Sequence, residues 1–113
     1  MKLNFYLFIT TIMTALFVHA QSLNCTARLN SEFIFTNHIK PELNTKILIG
    51  REESFTAYIT QKEHSHFILE AFIVNKEARI YSEGNLEKVN DELKLSIWSR
   101  DEIVDIDCRL VHD

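Results

Sequence analysis

Two cysteines, Cys25 and Cys108, enclose nearly all of the chain that follows an apolar amino-terminal run, and they constrain the fold more than any other feature. Each cysteine lies in a segment where apolar and polar residues alternate, which is typical of a half-buried β-strand. Because both cysteines fall on the apolar phase of their segments, both sulfur atoms are expected to face one core. The sequence therefore predicts a disulfide that links the first strand to the last and closes a loop of 108 − 25 = 83 residues.

The amino-terminal segment indicates export. Lys2 precedes an apolar run over residues 5–18, and Val18-His19-Ala20 is similar to a signal-peptide cleavage sequence. This run of 14 residues is shorter than the roughly 20 that a membrane-spanning helix needs. We therefore predict a secretory signal peptide over residues 1–20, one β domain over residues 21–113, and no stable membrane span after cleavage. An exported location, periplasmic or secreted, also suits a disulfide.

Composition limits the class of partner. The chain has 12 basic and 16 acidic residues, a net charge of −4, and removal of Lys2 with the signal peptide would leave −5. An acidic protein repels phosphate groups, so nucleic acid is not expected as a partner. The 93 residues after the predicted cleavage point hold only two glycines and one proline, and they contain no linker-like stretch. This composition argues against a long disordered region and against a second domain.

Apolar and polar residues alternate with a period of two in several further segments of the chain. Short links such as Asn75-Lys76-Glu77 have hairpin length and favour antiparallel neighbours. The sequence thus predicts an all-β fold, a small antiparallel β-sandwich or small barrel of about seven or eight short strands. The segment His38–Asn44 is interpreted as a loop between two sheet edges. The strand-like runs cover residues 23–30, 32–36, 46–49, 55–60, 67–73, 78–82, 93–98 and 104–111.

One of these runs has apolar residues on both phases. In the run over residues 67–73, Ile68 and Phe72 lie opposite the main apolar phase, with Glu70 between them. This pattern predicts a strand that is buried on both faces.

Three aromatic residues, Tyr58, Tyr81 and Trp98, fall on the outward phase of their runs. If they lie on one sheet and stay uncovered, they form an apolar patch that suits a protein partner. If a second sheet covers them, they belong to the core, because large aromatic side chains are usually well buried. The sequence leaves both interpretations open.

His64 and His66 are the residues that most suggest a metal. They flank Ser65, and on a strand this spacing would place both rings on one face. A zinc site needs three or four converging ligands, and the polar segment around the pair is better interpreted as a solvated hairpin end. No cofactor is predicted. No catalytic residue is predicted either, since no serine lies in a G-x-S-x-G sequence.

In size and in the use of one disulfide, the predicted protein resembles small exported β-barrel inhibitors of lysozyme. The resemblance covers architecture alone and implies enzyme inhibition as one alternative function. Gly50 and Gly84 stand alone, so the glycine- and serine-rich inhibitory loop of that family has no counterpart, and no residue roles carry over. The leading hypothesis is a non-catalytic binding or structural module whose partner is another exported or envelope protein. A metal- or small-ligand-binding protein that uses His64 and His66 is the other alternative.

Overall fold

The computed structural model describes residues 21–112, so the predicted signal peptide over residues 1–20 lies outside the described residues. The described chain forms two antiparallel sheets of four strands each. This arrangement confirms the predicted all-β class, the sandwich and the number of strands. The strands are β1 (Gln21–Leu29), β2 (Glu32–Ile39), β3 (Lys46–Arg51), β4 (Phe55–Gln61), β5 (His66–Ile73), β6 (Ala78–Asn85), β7 (Glu92–Trp98) and β8 (Ile103–His112).

The core lies between the two sheets and is built from the apolar phase of each strand. Alternation places every second side chain on the inner face, where it leaves water and packs against the opposite sheet. Both sheets contribute to one continuous cluster, in which Phe55 and Phe67 are the largest fully buried side chains. The cluster also contains Leu23, Ala27, Ile59, Leu69, Ala71, Leu93, Leu95, Val104, Ile106 and Leu110.

The disulfide joins two adjacent strands inside this core. Cys25 of β1 lies directly opposite Cys108 of β8 in the antiparallel ladder, and both residues are fully buried. The two sulfur atoms are bonded across a sequence separation of 83 residues. The predicted link between the first and last strands is therefore confirmed, and it lies at the middle of the sheet β2-β1-β8-β7.

One side of the sandwich is tied together at its edge strands, β2 and β3. Each carries a β-bulge, with Ile34 as the extra residue in β2 and Ile49 as the extra residue in β3. The Asn37 side-chain amide donates a hydrogen bond of 2.6 Å to the carbonyl oxygen of Ile49, which joins one sheet to the other. The Phe35 ring lies so close to Gly50 that a Cβ there would be 2.6 Å from two ring carbons. Any other residue at position 50 would require the Phe35 ring to move.

The predicted loop at His38–Asn44 begins later than expected. Strand β2 continues to Ile39, which pairs with Leu23 and is buried. The loop prediction was therefore wrong for residues 38 and 39. Asn37 and His38 are polar, but the strand continues through them so that the apolar Ile39 can pack on the inner face. The connection to β3 runs from Lys40, and Leu43 within it forms a short parallel bridge to Gln61.

Candidate binding surface

The outer surface of the sheet β3-β4-β5-β6 carries five large apolar side chains. Leu48 and Tyr81 are 43% and 57% exposed, and three more apolar side chains between them are half-buried. We call this surface the aromatic face. Its outward residues are Lys46, Leu48, Arg51, Thr56, Tyr58, Thr60, His66, Ile68, Glu70, Phe72, Arg79, Tyr81, Glu83 and Asn85.

The register of the strands places these side chains in rows across the sheet. One row runs from Leu48 through Tyr58 and Glu70 to Tyr81, each residue lying opposite the next in its ladder. A neighbouring row contains Phe72, which pairs with Arg79. Cross-strand neighbours of this kind lie within side-chain contact distance.

A buried carboxylate occupies the centre of the aromatic face. The side chain of Glu70 is only 6% exposed, although it points away from the core between the sheets. Lys46 approaches it from one edge strand, with its ammonium nitrogen 3.1 Å from Oε1. Arg79 approaches from the other edge strand, and its guanidinium donates a hydrogen bond of 2.6 Å to Oε2. A buried charge requires such partners, because burial without them is strongly unfavourable.

The same two cations also lie over aromatic rings. The ammonium nitrogen of Lys46 is 4.8 Å from the centre of the Tyr58 ring, and the guanidinium carbon of Arg79 is 5.0 Å from the centre of the Phe72 ring. Both distances are within the range of a cation–π interaction. Glu70 therefore draws two long side chains across the sheet and over the rings of Tyr58 and Phe72.

The opposite outer surface, on the sheet β2-β1-β8-β7, has a different character, and we call it the polar face. Thr26 and Thr36 share a hydrogen bond of 3.0 Å, and Ser96 donates a hydrogen bond to Asp105. Arg109 donates a hydrogen bond of 2.7 Å to Glu92. The outward residues of this face are Ser22, Asn24, Thr26, Arg28, Phe33, Thr36, His38, Glu92, Lys94, Ser96, Trp98, Ile103, Asp105, Asp107, Arg109 and Val111.

Two acidic groups at the start of β7 have displaced pKa values. The hydrogen bonds from Arg109 and then Lys94 lower the pKa of Glu92 below its ordinary value of 4.5. The backbone N–H groups of Lys88 and Glu87 donate hydrogen bonds to Asp91 and lower its pKa below 3.8. Asp91 accepts its hydrogen bonds within the turn before β7, whereas Glu92 binds its neighbours on the sheet, so both lowered pKa values have a structural cause.

The structure brings together two of the three aromatic residues singled out from the sequence. Tyr58 and Tyr81 both lie on the aromatic face, separated by Glu70. Trp98 lies on the polar face, at the end of β7, and is 77% exposed. These three side chains therefore do not form one patch.

The two histidines of the predicted metal pair occupy different kinds of position. His64 lies in the turn before β5, where its carbonyl oxygen accepts a hydrogen bond from the Gln61 side chain. His66 opens β5, and its ring contacts Asn85 at 3.3 Å and Glu83 at 3.5 Å. Within residues 21–112, no group of three or more His, Cys, Asp or Glu side chains converges in a metal-binding arrangement.

Sequence reasoning missed the charged part of the aromatic face. Glu70 was noticed as the polar member of a doubly apolar strand, but its partners Lys46 and Arg79 are 24 and 9 residues away along the chain. One sequence feature could have indicated these ion pairs. Glu70 is a single carboxylate between Ile68 and Phe72, on a strand whose other face is apolar. Such a carboxylate needs a cation from a neighbouring strand.

No family model, curated protein or solved structure matches this chain. Among residues 21–112, no helix has the length and apolar character needed to cross a membrane.

Proposed function

We propose that this protein is an exported, non-catalytic binding module that recognises another exported or envelope protein through the aromatic face. The observation that carries the proposal is the buried Glu70, which holds Lys46 and Arg79 over the rings of Tyr58 and Phe72 on a face open to solvent. Aromatic and arginine side chains that are held in place are the residues most often responsible for binding energy at protein interfaces. Fixing them in the free protein reduces the entropy lost on association.

The charge of the aromatic face suggests the chemistry of the partner. Three cations, Lys46, Arg51 and Arg79, share this face with two carboxylates, Glu70 and Glu83, which gives a net charge of +1 on a chain whose total is −4. A complementary surface offers apolar side chains to Tyr58, Ile68 and Phe72 and carboxylates to the cations beside them. Carboxylates on such a partner would be attracted to the cations of the aromatic face.

The proposed location follows from the disulfide and from the amino-terminal sequence. The bond between Cys25 and Cys108 is of a kind that persists in oxidising compartments, and residues 1–20 have the pattern of a signal peptide. Both support export to the periplasm or to the extracellular space.

Site-specific photo-crosslinking in the native host tests the proposal. The full chain would carry a photoreactive phenylalanine analogue in place of Leu48 or Ile68 on the aromatic face, or in place of Trp98 on the polar face as the matched control. We expect one protein to be captured from both aromatic-face positions and not from position 98. The mass of the adduct distinguishes a different protein from a second copy of this chain.

A second variant checks that the arrangement around Glu70 is responsible. Glu70→Gln should reduce the yield of the adduct from position 48, because Lys46 and Arg79 lose the group that holds them on the rings. Absence of an adduct at positions 48 and 68, or equal capture from position 98, would contradict the proposal.

A further inference from the structure

Strand β6 differs from the other edge strands of the sandwich. The edges formed by β2 and β3 are interrupted by bulges, a common protection against pairing with another chain. The fourth edge, β7, is also free of bulges, but its Glu92 is bound to both Lys94 and Arg109 and has a side chain that is only 26% exposed. By contrast, β6 runs regularly over eight residues, pairs with β5 along one edge, and carries Arg79 and Glu83 with side chains that are 51% and 62% exposed.

The hydrogen-bond phase of β6 shows which backbone groups face its open edge. Leu86 N–H donates to the Ser65 carbonyl at 2.8 Å, so these two residues form a hydrogen-bonded pair of the antiparallel ladder. Hydrogen-bonded pairs recur at every second residue, so Ala78, Ile80, Ser82 and Gly84 direct their backbone groups to β5. The residues that direct N–H and C=O groups to the open edge are Arg79, Tyr81, Glu83 and Asn85.

The side chains of these edge residues are self-complementary. When a second β6 pairs in the antiparallel sense about Tyr81, Tyr81 lies opposite Tyr81 of the second copy. Arg79 then lies opposite Glu83 of the second copy, and the two-fold symmetry repeats this contact once more. Opposite charges directly across an antiparallel ladder are favourable, whereas like charges are not.

Other registers lack this complementarity. A register centred on Arg79 or on Glu83 places two like charges directly opposite each other. A register centred on Ser82 places Arg79 opposite the uncharged Asn85. The pattern of charges along β6 therefore selects the register centred on Tyr81.

Both charged groups are available for this contact. The Arg79 side chain is 51% exposed while it binds Glu70, and a guanidinium has five N–H donors, so further donors remain. The Glu83 side chain is 62% exposed and touches only the edge of the His66 ring, at 3.5 Å.

We propose that two copies of this chain pair through β6, in the antiparallel register centred on Tyr81, to form one continuous eight-stranded sheet. The aromatic faces of the two copies then lie side by side and form one surface. This pairing goes beyond the proposed partner and does not depend on it. It uses the edge of the aromatic face at Arg79, Tyr81 and Glu83 and leaves its other apolar side chains, Leu48, Tyr58, Ile68 and Phe72, uncovered.

Cysteine crosslinking of the full chain tests the register. Hydrogen-bonded antiparallel pairs have Cα atoms about 5.5 Å apart, within the range of about 4.4–6.8 Å that a disulfide bridges. We expect Tyr81→Cys to form a covalent dimer under mild oxidation. Leu48→Cys, at a comparably exposed site on the opposite edge strand, should stay monomeric on the same denaturing gel. A Tyr81→Cys protein that forms no more dimer than Leu48→Cys overturns the proposed register.

Sedimentation equilibrium of the protein without added cysteines tests the pairing itself. We expect a molecular mass of two chains, and a mass of one chain at all concentrations would overturn the proposal. Glu83→Arg places arginines opposite each other at both ends of the interface and should weaken association by about tenfold or more. Arg51→Glu, a charge reversal at the opposite edge of the same sheet, should leave the dissociation constant unchanged.

A proline variant separates pairing from folding. The N–H of Tyr81 faces the open edge, so Tyr81→Pro removes a hydrogen bond to the second copy and none to β5. We expect a folded monomer with unchanged far-ultraviolet circular dichroism. A folded Tyr81→Pro protein that remains dimeric would contradict the assignment of β6 as the interface.

Discussion

The two outer faces of the sandwich each carry a glutamate held by one lysine and one arginine, but the two groups have different surroundings. On the aromatic face, Glu70 is 6% exposed, and its partners reach it across the sheet from both edge strands. On the polar face, the side chain of Glu92 is 26% exposed, and its partners Lys94 and Arg109 are immediate neighbours. The same set of charges is therefore present in two environments of one fold.

This difference indicates that the significance of a cluster of ion pairs depends on how far its charges are removed from water. Ion pairs on a polar, hydrated surface contribute little to stability and are common. A carboxylate that is removed from water by aromatic rings is costly unless its partners are fixed. The arrangement around Glu70 therefore needs an explanation beyond solubility, and partner binding by the aromatic face is the explanation we propose.

The largest expected effect comes from removing the disulfide, which lies beneath the polar face. In the chain-entropy account, a closed loop of 83 residues stabilises the folded state by about 4.5 kcal/mol. We expect the double variant Cys25→Ala, Cys108→Ala to lose close to that amount in the free energy of unfolding, as measured by urea titration.

The same titration shows whether the two sheets unfold together. Trp98 fluorescence reports on the sheet with the polar face, and the near-ultraviolet signal of Tyr58 and Tyr81 reports on the sheet with the aromatic face. Because both sheets share one core, we expect coincident transitions in the variant. A tyrosine transition at higher urea than the tryptophan transition would show that the sheet with the aromatic face is stable without the disulfide.

A smaller effect is expected when the two glutamates are neutralised in turn. Glu70→Gln leaves Lys46 and Arg79 without their counter-charge. Because these cations are themselves half-exposed, the expected loss is about 2 kcal/mol in the free energy of unfolding. Glu92→Gln is the matched control on the polar face and should cost less. An equal or larger cost for Glu92→Gln would remove the distinction between the two faces.

The smallest effect is expected from acid titration of the polar-face region. Asp91 and Glu92 have pKa values lowered in the folded protein, so folding disfavours their protonation. Their contribution to stability is complete above their ordinary pKa values of 3.8 and 4.5, and it is lost as the pH falls through the lowered values. Thermal melting from about pH 6 to about pH 3 should therefore show a shallower acid limb for the double variant Asp91→Asn, Glu92→Gln. Parallel curves for the variant and the natural protein would contradict this expectation.

Much of the fold could be predicted from the sequence, because the alternation of apolar and polar residues depends only on residues close together in the chain. The apolar phases of β1 and β8 identified both strands and placed Cys25 and Cys108 on the same side. The turn-like links identified the hairpins. The end of β2 was misplaced because Asn37 and His38 resemble loop residues, and only pairing with β1 extends the strand to Ile39.

The candidate binding surface was less predictable. The outward phase of Tyr58, Tyr81 and Trp98 can be assigned strand by strand, whereas the sheet to which each strand belongs cannot. The partners of Glu70 come from strands that precede and follow it, and the spacing along the chain does not reveal which cations reach it.

The sequence by itself determined the strands, their inward phase and the pairing of the cysteines, because each depends on the polarity of nearby residues and on the number of cysteines. Tertiary structure decided that Tyr58 and Tyr81 share a face while Trp98 lies on the other. It also decided that Glu70 is buried between Lys46 and Arg79. The physical reason is that strand order and register set which side chains meet across a sheet, and these depend on contacts between residues far apart in the chain.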